Sequence, residues 1–294
     1  MVASERSCVI TGTNGYLGSV IKYYLRGKGW IIHELRHDLK QPNPDDPLLV
    51  PFSLKEGADP SVFQDIDVLI HCAYDFTLST WEAIKDININ GSLRLFEDAK
   101  KSGVTKLIFV STNSAYEGSR SLYGKAKLAI ERGAAAMGAI VVRPGLVYGK
   151  NSGGVFGALD RLVSSSRVVP LIGKGEQVLY LIHEEDLAQL IYHLCATNAI
   201  GFRSPIVAAC PRKTTLKEIL ETIARARKKK LLLLPIPWRF IGLALKACER
   251  TRLPFSFRSD SLVSLLNQNP NPDFESIPGL GVSCREFNEQ TLLS

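Results

Sequence analysis

Cysteine is sparse in this sequence, and its scatter excludes more than its number does. The six cysteines (Cys8, Cys72, Cys195, Cys210, Cys248 and Cys284) stand far apart, with no CxxC pair and no histidine at metal-ligand spacing. A zinc ribbon, a thioredoxin-type redox pair and a disulfide scaffold all need patterned cysteines, so free thiols in a reducing, cytoplasmic setting are expected. Long apolar runs are missing too. The strongest candidate, Leu231 to Leu234 and then Ile241 to Ala247, is interrupted by Pro235, Pro237 and Arg239, well short of the ~20 apolar residues of a membrane span. Lys228-Lys229-Lys230 precedes that run, which leaves a basic anchor on a membrane surface open. A strand followed by an amphipathic helix in a smaller lobe is the simpler reading. Met1 to Arg6 lead into the first strand without an apolar h-region, so no signal peptide is expected. No long basic stripe with interleaved aromatics is present, which argues against nucleic acid as a partner.

What remains is the material of a large α/β core. The chain has 294 residues, 45% of them hydrophobic, enough for one large domain or a domain plus a lobe. In the first half, short apolar runs alternate with helical patterns, the rhythm of βαβ units. Cys8-Val9-Ile10, Trp30 to Leu35, Val68 to His71, Lys106 to Val110 and Ala139 to Val142 read as strands. A short additional strand follows the Pro-rich loop from Gln41 to Pro51. Helices are expected from Leu17 to Leu25, from Ile87 to Lys101 and from Leu122 to Met137. Arg143-Pro144-Gly145 should stop the last of these six strands. The fold class is thus α/β, a doubly wound parallel (Rossmann) sheet over residues 1–149, with a smaller mixed α/β substrate lobe over 150–294. A helix near 184–198 should also pack on the first domain, and another runs from Thr215 to Lys228.

Thr11-Gly12-Thr13-Asn14-Gly15-Tyr16-Leu17-Gly18 lies between the first strand and first helix. Gly12 permits a tight turn, Gly15 lets the backbone approach a pyrophosphate, and Gly18 lets the helix pack on the sheet. The helix N-terminus offers free N–H groups to the anion. With a strand before it, a helix after it and a βαβ continuation, the pattern reads as a dinucleotide site. A formal charge of +7 suits such a ligand, as it suits any basic surface. Arg36 stands at the end of the second strand, where NAD-specific folds place Asp. An Arg there pairs with a 2′-phosphate, which makes NADP the first choice and NAD the second.

Tyr123-Gly124-Lys125-Ala126-Lys127 puts a phenol and an ammonium on one helix face. Lys127 and a cationic nicotinamide are together expected to lower the Tyr123 pKa towards neutrality, as a base for hydroxyl oxidation requires. Ser111 and Thr112 end the strand just upstream, ready to hydrogen-bond the reacting oxygen.

These motifs occur in a familiar order: Thr11 to Gly18, Val110-Ser111-Thr112-Asn113-Ser114-Ala115-Tyr116, Tyr123 with Lys127, Arg143-Pro144 with Val147-Tyr148-Gly149, and Ile182-His183-Glu184-Glu185-Asp186-Leu187-Ala188. The chain resembles an extended short-chain dehydrogenase/reductase of the NAD-dependent epimerase/dehydratase family over its first two thirds. The resemblance implies a catalytic set of Thr112, Tyr123 and Lys127, with Lys127 also holding the nicotinamide ribose. It implies cofactor contacts at Gly12, Asn14, Gly15, Tyr16, Leu17, Gly18, Arg36, Cys72, Ala73 and Pro144. It also matches Asn88 to the family's helix-start Asn, and implies a homodimer through the helices 88–101 and 122–137.

Departures narrow the chemistry. Sugar dehydratases of this family carry Thr-Asp-Glu where this chain has Thr112-Asn113-Ser114, so the acids of elimination are absent and no dehydration is expected. Typical 4-epimerases have Asn at the position of Gly145 and an Arg near Leu179, which puts a nucleotide-sugar substrate in doubt. No metal is expected: the consecutive His183, Glu184, Glu185 and Asp186 cannot all face one ion and suit a helix cap instead. His33, His37, His71 and His193 have no metal-like spacing. Function is expected to be alcohol/ketone redox on a small molecule, a sugar or nucleotide-sugar derivative. Alternatives are a 4-epimerase with tightly held NAD, a reductase of a hydrophobic steroid- or flavonoid-like ketone, and a non-catalytic dinucleotide sensor or assembly subunit.

Overall fold

The computed structural model describes residues 6–39, 41, 46–150, 152–197, 205–250, 258–275 and 281–294. Positions 42–45, part of the Pro-rich stretch read as loop from the sequence, lie outside the described residues. In chain order the elements are β1 (Ser7–Thr11), α1 (Tyr16–Gly27), β2 (Ile31–Arg36), β3 (Leu49–Pro51), β4 (Val68–His71), α2 (Trp81–Ala83), α3 (Gly91–Lys101), β5 (Lys106–Val110), α4 (Leu122–Ala136), β6 (Ile140–Pro144) and β7 (Leu146–Tyr148). There follow α5 (Gly154–Ser165), β8 (Val168–Ile172), β9 (Val178–Leu179), β10 (Leu181–His183), α6 (Glu184–Ala196), β11 (Ile206–Ala208), β12 (Thr214–Thr215), α7 (Leu216–Ala226), β13 (Leu232–Ile236), α8 (Trp238–Arg250), α9 (Ser259–Leu266) and α10 (Glu289–Leu293).

Seven strands form one sheet in the order β3-β2-β1-β4-β5-β6-β11, every pair parallel. β1 and β4 are buried along their whole length, as a sheet covered on both faces requires. On one face α1 and α6 pack together, with Ile21, Leu25, Leu187 and Leu194 against the sheet. On the other, Leu95 and Phe96 of α3 and Ile130 of α4 meet Leu69 and Phe109. Strand order reverses between β1 and β4, so a crevice opens at their carboxyl ends, where doubly wound folds bind ligands.

Four elements differ from the sequence expectation. The seventh strand, β11, comes from beyond residue 149; three residues are too few to show a period. β3 lies inside the stretch read as loop, and Pro51 is accommodated because β3 is an edge strand. β6 runs through Arg143 and Pro144 rather than stopping before them, with the Pro144 carbonyl accepting from the Asn113 N–H at 2.9 Å. The helix expected from Ile87 begins at Trp81, where Thr80 Oγ1 caps the Ala83 N–H at 3.3 Å, and passes through a π-helical stretch, Ile84–Asn90, into α3. A π stretch breaks the 3.6-residue period, which hides the helix start from a pattern reading. Asn88 is therefore not at a helix start. Its side chain reaches back to the loop after β4, accepting from Asp75 N at 2.7 Å and donating to Asp75 O at 3.1 Å.

The lobe has its own core, in which Phe156, Leu171, Leu220, Ile223, Leu262 and Phe287 are buried together.

Candidate active site

The chain leaves β1 through Gly12 at φ +73°. A Cβ at Gly12 would lie 2.9 Å from Ala73 N, and one at Gly18 would lie 2.2 Å from Gly12 O, so close packing demands glycine at both. Thr11 Oγ1 accepts from the Cys72 and Ala73 N–H groups, both at 3.1 Å, and sits 2.7 Å from His71 Nδ1. The loop after β4 is thereby fixed beside the glycine turn. His71 also meets Ser92 Oγ at 2.8 Å; burial, with a smaller push from Lys127, brings its pKa down to about 3, so the ring stays neutral. At the start of α1, Gly15 is the N-cap, no side chain caps the helix and its first turn carries no acid. The positive end of α1 is open to an anion.

At the far end of the glycine turn, Arg36 donates to Asp38 at 3.0 and 2.5 Å, and Asn14 Nδ2 donates to Asp38 Oδ1 at 2.8 Å. Asp38 thus ties together two residues that the sequence reading had marked separately. Tyr16 Oη donates to Glu184 Oε2 at 2.5 Å, joining the glycine turn to the start of α6.

Thr112 follows β5, and Tyr123 and Lys127 lie one turn apart on α4. The Thr112 hydroxyl lies close enough to the Tyr123 phenol to act on its pKa, and it accepts from Ser114 N at 3.2 Å. The ammonium of Lys127 is buried, donates to Val110 O at 3.0 Å and lies 4.7 Å from the Phe109 ring centroid and 5.9 Å from that of Tyr123. Burial brings the Lys127 pKa down to about 8, with Cys72 and Glu131 acting in the other direction. Burial also holds the Tyr123 phenol above its ordinary value, with the Thr112 hydroxyl working against it. The expected lowering by Lys127 together with a nicotinamide belongs to the cofactor complex; in the chain alone the ammonium is turned to the Val110 carbonyl and burial prevails at the phenol.

Sequence reasoning missed the support behind this pair. Glu131, one turn beyond Lys127, is buried, receives Arg143 at 2.5, 2.9 and 3.1 Å, and accepts from Ser111 Oγ at 2.5 Å. It also missed Tyr74, whose ring meets Tyr123 edge-on at 5.0 Å. The i,i+4 spacing of Lys127 and Glu131 was visible; that Arg143 arrives from β6 was not. From the lobe, Asp260 on α9 accepts from the Leu122 and Tyr123 N–H groups at 2.8 and 3.0 Å, at the N-terminus of α4. Ser264 and Gln268 donate to Ser114 Oγ at 2.8 and 3.3 Å.

One cavity of about 1180 Å³ connects these parts. Gly12, Gly15, Tyr16, Leu17, Gly18, Cys72 and Pro144 line it with Thr112, Tyr123 and Lys127; Asn14, Arg36 and Ala73 are not on its wall. Asn113 lines it as well, and neither of its buried amide atoms has a hydrogen-bond partner among the described residues. A water or a bound group can complete such an amide. Gly145 cannot be enlarged, because a Cβ there would lie 2.2 Å from Tyr180 O. Arg239 of α8 and Arg258 just before α9 bring cations to the cavity, which the sequence reading did not anticipate. His183 is the N-cap of α6, accepting from Glu185 N at 3.3 Å, while Asp186 clasps Arg285.

Comparison with known proteins bears on the fold and the family. The uncharacterized protein y4nG of Sinorhizobium fredii is 23% identical over 243 residues, covering 75% of this chain and 60% of its own length. A UDP-glucose 4-epimerase of Vibrio cholerae is 24% identical over 271 residues, 79% of each chain. Among solved structures, MoeE5 in complex with UDP-glucose and NAD superposes with a TM-score of 0.71 at 17% identity, over 97% of this chain and 96% of that one. A Thermotoga maritima UDP-glucose 4-epimerase with UDP-glucose gives 0.62 at 22% identity, over 79% and 86%. At such identities the structural likeness speaks for the fold. A family model, that of the NAD dependent epimerase/dehydratase family, matches residues 8–206, more than half of the sequence. The chain belongs to that family of enzymes.

Proposed function

We propose that the protein is an NAD(P)-dependent oxidoreductase that interconverts a secondary alcohol and a ketone on a sugar or nucleotide-sugar derivative. The observation that carries this reading is the single cavity with the glycine turn at one end and Thr112, Tyr123 and Lys127 at the other. The uncapped start of α1 fits a pyrophosphate. Gly12, Gly15 and Gly18 would hold it, with Cys72, Ala73 and Pro144 flanking the rest of the dinucleotide. When bound, the nicotinamide supplies the two-electron acceptor or donor. Tyr123 takes the proton of the substrate hydroxyl, or returns it to the ketone oxygen, and Thr112 hydrogen-bonds that same oxygen. Lys127 would hold the ribose of the bound dinucleotide, and its charge beside Tyr123 would favour the phenolate there. Arg239 and Arg258 supply cations for a phosphate-bearing substrate in place of the Arg missing near Leu179.

NADP is the cofactor we assign, because Arg36 is the fork a 2′-phosphate requires. Its exposed pair with Asp38 is of the kind worth only ~0–1 kcal/mol, and a phosphate can displace it. Two further readings have specific support. Epimerisation on tightly held NAD is favoured by the Vibrio cholerae relative. Reduction of a hydrophobic ketone is favoured by the apolar wall of Phe76, Leu78, Trp238 and Leu243. We assign the dinucleotide domain to residues 1–149 with α6 and β11 added, place the protein in the cytoplasm, and assign a homodimer to α3 and α4.

Native mass spectrometry separates the cofactor readings: co-purified NAD indicates the epimerase, and a site that takes up added NADPH indicates the reductase. Tyr123→Phe tests the base. It should leave cofactor affinity nearly intact and lower turnover by ~10² or more; near-normal turnover removes Tyr123 from the mechanism.

A further inference from the structure

Away from the glycine turn, one surface of the lobe is apolar where water should be met. β8 and β13 form a two-stranded parallel ribbon in which Leu232 pairs with Val168 and Leu234 with Pro170. Side chains alternate across such a ribbon. Val169 and Leu171 point to the buried side, whereas Val168, Pro170, Leu232 and Leu234 are all exposed, Leu232 at 63%. A sheet with one wet face ordinarily carries polar residues there; this one is apolar on both.

α8 begins two residues after β13 ends. Phe240 and Leu243, neighbours on the helix surface, are 66% and 68% exposed, and Trp238 at its start is 50% exposed. Cations frame the patch. Lys228, Lys229, Lys230 and Arg167 are exposed beside the ribbon, Arg239 lies within α8, and no Asp or Glu occurs between Glu221 and Glu249.

We propose that the outer face of the β8–β13 ribbon and α8 dock the protein on the surface of an anionic lipid bilayer, with α8 lying in the plane of the interface. Trp, Phe and Leu beside Lys and Arg are the composition of an interfacial helix. No helix among the described residues is long and apolar enough to cross a membrane, so the contact is with the surface. Charge complementarity selects anionic lipid over a second copy of this chain. A symmetric contact through the same face would press Lys228–Lys230 of both copies together, with no Asp or Glu in the stretch 222–248 to answer them and with the neighbouring Asp160 already paired to Arg227. α8 also lends Trp238 and Leu243 to the cavity wall, so the docking face adjoins the cavity's rim.

Sedimentation of the full chain with extruded vesicles tests this. The protein should pellet with an equimolar mixture of phosphatidylcholine and phosphatidylglycerol, remain in solution with phosphatidylcholine alone, and be released by salt. Each cation near such a surface is worth roughly a fivefold gain in partitioning, so Lys228→Gln with Lys229→Gln and Lys230→Gln should weaken it about a hundredfold. Leu232→Glu with Phe240→Glu should abolish pelleting while leaving thermal unfolding and NADPH titration unchanged, because neither residue lines the cavity. No pelleting, or equal pelleting with both vesicle types, overturns the proposal. So does a dimer in analytical ultracentrifugation that the Leu232→Glu, Phe240→Glu variant dissociates, since that assigns the face to a second copy. Vesicle binding is read without turnover, so its outcome leaves the alcohol/ketone reading to its own test.

Discussion

Lys127 is a buried ammonium to which we assign a part in the chemistry, and Lys127→Met separates that part from stability. The side chain is 2% exposed, and its pKa is brought from 10.5 down to about 8, chiefly by burial. That difference corresponds to about 3 kcal/mol against the charged form. Met fills a similar volume without the charge, but leaves Val110 O without its partner, a loss of about 1–2 kcal/mol. The net expectation is that Lys127→Met is more stable than the parent by about 1–2 kcal/mol near neutral pH, a rise in Tm of roughly 2–6 °C for a chain of this size.

The gain must depend on pH in one direction. The Lys127 pKa is lower folded than unfolded, so between about 8 and 10.5 the unfolded chain binds more protons and the parent becomes more stable as pH rises. Below about pH 8 the full penalty of the buried ammonium is present, and the advantage of Met is greatest there. Thermal unfolding followed by circular dichroism at about pH 7 and about pH 9.5 should show the advantage shrinking at the higher value. A Lys127→Met protein less stable than the parent at neutral pH, or a difference that ignores pH, refutes the argument. Turnover should collapse in the same variant, the pattern expected when a strained charge is kept for function.

Arg36→Asp should lower NADPH affinity at least tenfold and raise that for NADH in a fluorescence titration, since a charge-assisted contact worth ~1.5–3 kcal/mol is exchanged for a repulsion. Equal affinities for the two cofactors in the parent reduce Arg36 to a surface charge. Glu131→Gln should destabilise the fold by ~3–5 kcal/mol in urea unfolding, because it leaves the Arg143 guanidinium beside a neutral group in a largely buried pair; a loss within about 0.5 kcal/mol shows the network to be dispensable. Incubation with nucleotide sugars should yield no product lighter by one water, because Asn113 cannot exchange protons and Ser114 is already bound to α9; mass spectrometry detecting such a product points to an unrecognised acid.

The parts legible in the sequence are those built from near neighbours in the chain. Thr11 to Gly18 carries its strand, turn and helix start within eight residues, and Tyr123 with Lys127 shares one helical turn, so local pattern sufficed. What escaped was assembled across distance. β11 joins the sheet through three residues with no period to detect. The π-helical stretch before α3 shifts the periodicity that would have announced the helix at Trp81. Asp38 gave no local signal, because its bond to Asn14 joins positions 24 residues apart. The setting of Lys127 was hidden for the same reason: spacing shows that Lys127 is near Tyr123, and only packing shows that its ammonium donates to Val110 O.

The lobe repeats this point at the reacting residue itself. Asp260, 137 positions after Tyr123, accepts that residue's own N–H and the one before it, and so supplies at the start of α4 a carboxylate that the helix lacks in its own first turn. A negative group there is favourable to the helix dipole by ~0.3–1 kcal/mol and fixes the first turn, on which the phenol is mounted. The same helix, α9, holds Ser114 through Ser264, on the segment that presents Thr112. One element of the lobe therefore touches both the start of α4 and the segment that follows β5. A change that moves α9 bears on both the segment that carries Thr112 and the first turn that carries Tyr123, the two residues to which we assign the proton transfer.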